Sequence, residues 1–139
     1  IESVKIMKKI AHENGILLKE HNCDYLNLEQ IQLRRQYGIN AINIAPEYGV
    51  IQSNLTYNIA KQLGLDKQIN DFKKFVLRKE KWKKWNYNNK NNLIKFFTAG
   101  HYHFGTKIYK NIIKKINKKI NFQKKLDKAI ENNLLRYFN

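Results

Sequence analysis

Three glycines punctuate the first half of the chain, and the pattern between them limits what it can fold into. Gly15, Gly38 and Gly64 each follow a stretch with apolar residues at helical spacing, where a helix commonly ends in a left-handed residue. Val4, Met7, Ile10 and Ala11 define the first helix, over residues 2–14, with Lys8 and Lys9 outward. Ile16-Leu17-Leu18 follows as a short buried strand that turns polar at Glu20 and His21. Asn27 caps the next helix, with Gln30 as its capping-box partner and Leu28, Ile31 and Leu33 as apolar positions. A second strand, Ile39 to Ala45, is closed by Pro46, and another helix runs from about Ser53 through Leu55, Ile59 and Leu63. Helix–strand–helix–strand–helix is the rhythm of parallel β/α units. Two strands do not make a stable sheet alone. This reading therefore expects a fragment, with further units before Ile1, which already lies in a helix-like pattern.

The second half reads as helical. Ile69, Phe72, Phe75 and Val76 form one amphipathic segment, leading into Lys81-Trp82-Lys83-Lys84-Trp85. Asn86 to Asn92 is an Asn-rich loop before Leu93-Ile94-Lys95-Phe96-Phe97. Ile108, Ile112, Ile116 and Ile120 form one apolar stripe, and Leu126, Ile130 and Leu134 another, with lysines largely opposite. Trp82 and Trp85, three apart on a helix, are expected to face inward together with snorkelling lysines around them. Residues 1–66 are thus read as β/α units and residues 67–139 as a helical region of the same domain.

The net charge of +16 comes wholly from that second part. Residues 1–66 hold seven basic and seven acidic side chains, whereas residues 67–139 hold twenty and four. Of the 27 basic residues 23 are Lys, beside 19 Asn and 18 Ile. These are residues of A/T-rich codons, so compositional drift accounts for a lysine-rich surface, and Arg, the better residue for bidentate phosphate and base recognition, is scarce. A nucleic-acid partner is not expected from the charge alone. A basic nucleic-acid-binding module over residues 67–139 is the alternative of another class, with the Trp82/Trp85 run as its stacking candidate. No signal peptide or membrane span is read from the apolar runs. Cys23, the sole cysteine, forms no internal disulfide and fits a reducing, cytoplasmic setting.

Ligands of parallel β/α folds bind beyond the C-terminal strand ends. The first strand delivers Glu20, His21, Asp24 and Tyr25 there. The second delivers Asn43 and then Glu47 and Gly49. His21 and Asp24 offer a base and an acid, or a base and its orienting carboxylate. The competing reading has Asp24 capping the following turn and His21 bonding within the rim. His101 and His103 would share a side in an extended segment and bind metal as a pair, or His101 alone would line a pocket as part of Gly100-His101-Tyr102. Cys23 is a bystander, because Asp24 beside it raises a thiol's pKa.

The runs Glu20-His21-x-x-Asp24-Tyr25, Asn43-x-Ala45-Pro46-Glu47-Tyr48-Gly49 and Gly100-His101-Tyr102 resemble the C-terminal part of the GatZ/KbaZ-like family. Its members are the accessory, non-catalytic subunits of class II D-tagatose-1,6-bisphosphate aldolase, with sugar-phosphate 4-epimerases as relatives. The resemblance covers about Gly15 to Tyr137. It implies an α/β fold, the last units of a (β/α)8 TIM barrel with a helical C-terminal extension, acting in carbohydrate metabolism. It implies His21 and Asp24 as catalytic residues, and Glu20, Tyr25, Asn43, Glu47, Gly49, His101 and Tyr102 as substrate-binding ones. The ligand would be a ketose phosphate and the partner a catalytic aldolase subunit, with this fragment alone inactive. The alternative enzyme is a metal-dependent ketose-phosphate 4-epimerase. Both chemistries pass through an enolate, and a divalent metal, Zn or Mg, would come with the missing part or a partner subunit rather than from ligands in this chain.

Overall fold

The computed structural model describes residues 2–86 and 88–138. Tyr87, inside the expected Asn-rich loop, and Ile1, on which the fragment reading rests, lie outside the described residues, as does the side chain of Asn86. The chain divides into two compact units. The first comprises residues up to Glu47 together with residues from Leu134 onward, and the second spans Tyr48–Asn133.

In the first unit, α1 (Glu2–Glu13) leads to β1 (Lys19–Glu20), α2 (Leu28–Gln36) and β2 (Ala41–Ile42). The strands pair in parallel, Lys19 opposite Ala41 and Glu20 opposite Ile42. The pairing runs on past the ladder: the Asn43 N–H donates to the Glu20 carbonyl at 3.1 Å and the Cys23 N–H to the Asn43 carbonyl at 2.9 Å. α2 carries the full capping box between Asn27 and Gln30, and Gly15 and Gly38 take positive φ as helix terminators. A small core joins Cys23, Leu26, Ile31 and Tyr137, with Ile42 and Ile44 against it.

The second unit holds most of α3 (Pro46–Gln62), then α4 (Asp66–Arg78), α5 (Lys83–Asn86), α6 (Asn92–Ala99), a 3-10 turn (Gly100–His103), α7 (Lys107–Ile116) and most of α8 (Phe122–Phe138). Its core is continuous. Ile69, Phe72 and Val76 of α4 meet Phe96 and Ala99 of α6 and Tyr109, Ile112 and Ile116 of α7. Phe72 stands edge-on to Phe96, ring centres 5.6 Å apart, an arrangement that adds to simple area burial. Asn91 and Thr106 cap α6 and α7 with their side-chain oxygens.

The expected TIM-barrel portion is overturned. Among the described residues the strands are two pairs of residues forming one two-stranded sheet, and the structure is mostly helical. The physical reason lies in the apolar runs. Ile16 and Leu17, read as a buried strand, are exposed at 60 % and 79 %; only Leu18 onward meets the second strand. Pro46, read as closing a strand, is the first residue of α3, where its missing N–H removes no helical bond. Helix α3 therefore starts well before Ser53. On α1, Met7 and Ile10 are exposed and only Ala11 is buried, so its apolar spacing marks a helix without marking a buried face. No helix among the described residues is long and apolar enough to cross a membrane.

Candidate functional site

The Glu20–Leu26 segment leaves β1 and turns sharply. Asn22 and Tyr25 both have positive φ, 60° and 62°, a conformation costly for a bulky residue such as Tyr25. The cost is offset by fixed partners on every side. One oxygen of Asp24, Oδ1, accepts the main-chain N–H of Ala45 at 3.0 Å and of Glu47 at 2.8 Å. These are amides at the start of α3, where a negative charge is favoured. Glu47 Oε2 in turn accepts the Tyr25 N–H at 2.7 Å and lies 3.2 Å from the Tyr137 hydroxyl, and Arg136 pairs with Glu47 Oε1. The Tyr137 hydroxyl also donates to the Cys23 carbonyl at 3.1 Å.

These contacts sort the expected site residues of this unit. Asp24 binds the amides at the start of α3 rather than those of the turn that follows it, and Glu47 is buried as the hub of the network. Glu20 is held by Arg34, whose Nη2 donates to Oε1 at 2.9 Å while Nε lies 2.8 Å from Oε2. Asn43 contributes its main chain to the strand pairing and its side chain is exposed. His21 and Tyr25 are the two rings that reach solvent. The His21 side chain makes no hydrogen bond or ion pair among the described residues. Partial burial, then the carboxylates of Asp24 and Glu47, push the Tyr25 phenol up to about 12. Burial, followed by the Glu20 charge, also raises the Cys23 thiol, which is fully enclosed.

Sequence reasoning missed Arg34, Arg136 and Tyr137. A signal was present. In a chain with 23 Lys, three of the four Arg (Arg34, Arg35 and Arg136) fall in this unit. All three bond oxygen acceptors: the Glu20 carboxylate, the Tyr137 carbonyl and the Glu47 carboxylate. Planar forked recognition is what Arg provides and Lys does not.

Gly49, His101 and Tyr102 lie in the second unit, described by itself. A Cβ on Gly49 would meet His101 Cβ at 2.7 Å and Cγ at 2.8 Å, so glycine there admits the imidazole. The His101 ring lies 4.1 Å from that of Tyr102, and the Tyr102 hydroxyl accepts from Trp85 Nε1 at 2.8 Å. Trp85 is half exposed rather than turned inward; Trp82 alone packs on the core. His101 and His103 do not share a side of an extended segment, because they belong to the 3-10 turn. His103 is buried edge-on against Phe75. Burial lowers the pKa of both imidazoles, and Lys79 and Lys81 lower that of His103 further. Among the described residues no group of three or more His, Cys, Asp or Glu could hold a metal ion.

No protein-family model, curated protein or solved structure matches this chain.

Proposed function

We propose that the chain is a ketose-phosphate-binding component of the D-tagatose-1,6-bisphosphate aldolase accessory type, using the Glu20–Tyr25 loop. The observation that carries this reading is the left-handed Tyr25, fixed through its own N–H to Glu47, with its ring left exposed. Strained backbone persists where the surroundings over-determine it, and such segments concentrate at binding sites. The loop is rigid at the main chain and open at its rings, an arrangement suited to positioning a small polar ligand. His21 is the group left to donate to a phosphate or hydroxyl oxygen, and Tyr25 supplies a phenol and a ring face. Asp24, Glu20 and Glu47 act as positioning residues.

Titration calorimetry with D-tagatose 1,6-bisphosphate and with unphosphorylated tagatose tests the reading. Binding of the phosphorylated sugar is expected, weakened at least tenfold by His21→Ala with an unchanged melting temperature. Absence of binding to any ketose phosphate, or equal binding by His21→Ala and Tyr25→Ala, would overturn it.

A further inference from the structure

The lysines that the sugar-phosphate reading leaves unused are arranged, not scattered. From Lys107 to Lys128 the chain places nine lysines against one carboxylate, Asp127, and all nine are exposed. On α7, Tyr109, Ile112 and Ile116 are buried, while Lys107, Lys110 and Lys114 fall on the opposite side and Lys118 follows in the next turn. Steps of three and four residues at about 1.5 Å each set neighbouring cations roughly 5–6 Å apart along the axis. Among the described residues no carboxylate lies within ion-pair distance of any lysine from Lys107 to Lys125. A cleft of about 330 Å³ opens beside the row, with Lys114, Lys115, Lys118, Asn111 and Gln68 in its lining, and Asp71 as its single carboxylate.

Codon bias accounts for the number of lysines but not for where they stand. Asn and Ile occur in both halves of the chain, yet residues 1–66 carry no basic excess. We propose that this lysine face docks on the phosphate backbone of a nucleic-acid duplex. A row of cations longer than any small anion matches a polymer with regularly spaced charge. No large hydrophobic residue between residues 103 and 134 is exposed, so the face has no wedge for a membrane, no anchor for an acidic peptide and no ring to stack on unpaired bases. Lysines act as point charges, so the contact reads charge and spacing rather than sequence.

Fluorescence anisotropy of the full chain with a labelled duplex, from 50 to 200 mM salt, tests the proposal. The affinity should fall log-linearly with salt. A triple Lys110→Gln, Lys114→Gln, Lys118→Gln variant should lower the slope by about 2.7, near 0.9 for each lost phosphate contact. The equally charged Lys5→Gln, Lys8→Gln, Lys9→Gln control should retain the wild-type slope, with circular dichroism confirming that both variants fold. Equal losses in the two triples, or no duplex binding at 50 mM salt, would overturn it. So would comparable or preferential binding to polyglutamate or to phosphatidylserine vesicles. Since neither triple touches His21 or Tyr25, failure here leaves the sugar-phosphate result standing, and the converse holds.

Discussion

The Tyr137 hydroxyl donates to the carbonyl of Cys23 at 3.1 Å, across 114 residues of chain. The same oxygen lies 3.2 Å from Glu47, so one phenol near the end of α8 ties the loop after β1 to the carboxylate that fixes Tyr25. Tyr137→Phe keeps the ring in the small core and removes only these bonds and the one its hydroxyl accepts from Arg136 Nη2 at 3.0 Å. It should destabilise the chain by about 1–3 kcal/mol, because buried acceptors lose a partner. Urea denaturation with unchanged m-value checks this, and a stability equal to wild type would show that the network does not hold the loop.

Asp24 distinguishes a capping role from a catalytic one. Asp24→Asn preserves an acceptor oxygen for the Ala45 and Glu47 amides, so it should cost well under half of what Asp24→Ala costs. The alanine variant should lose about 1–2 kcal/mol, the usual range for a lost helix cap. Thermal melts of the two variants give the comparison.

Gly49 and His101 should be coupled. Gly49→Ala drives a methyl into the imidazole and should cost about 1–3 kcal/mol by overpacking. In a His101→Gly background, which also removes the Cβ that lies 2.7 Å away, the same change should cost far less. A double-mutant cycle that comes out additive would refute the contact.

The buried His103 gives a pH dependence of definite sign. Its pKa is depressed below the usual 6.5 by burial and by Lys79 and Lys81, so the unfolded chain binds its proton first. Stability is therefore complete above 6.5 and is lost as pH falls from there through the depressed value. His101 acts in the same direction. His103→Gln should flatten the fall in unfolding free energy between pH 7 and pH 5.

Cys23 should be inert in the native chain. It is fully enclosed and its thiol is raised by burial and Glu20, and thiolate is the reactive form. Modification by a thiol reagent at neutral pH should track unfolding, rising sharply in denaturant.

Local rules were legible in the sequence. The Asn27–Gln30 capping box, the terminating Gly15, Gly38 and Gly64, and the helical stripes through Ile69, Phe72 and Val76 and through Ile112 and Ile116 stand in the structure where their spacing places them. Each depends on residues within one or two helical turns. The candidate site was half legible: the sequence brought attention to His21, Asp24 and Tyr25, and left open whether Asp24 works on a ligand or on the following turn, while its actual partners at Ala45 and Glu47 lie 21 and 23 residues on.

What the sequence by itself determined was the order of helices and turns, the parallel sense of the short strand pair and the confinement of the net positive charge to residues 67–139. Tertiary structure alone decided that the strands stop at two residues, that Ile16 and Leu17 stay exposed, and that Pro46 opens α3. It alone brought Arg136 and Tyr137 to Glu47. Capping and periodicity act between neighbours in the chain, whereas burial and a hydrogen bond spanning 114 residues exist only once distant segments have packed.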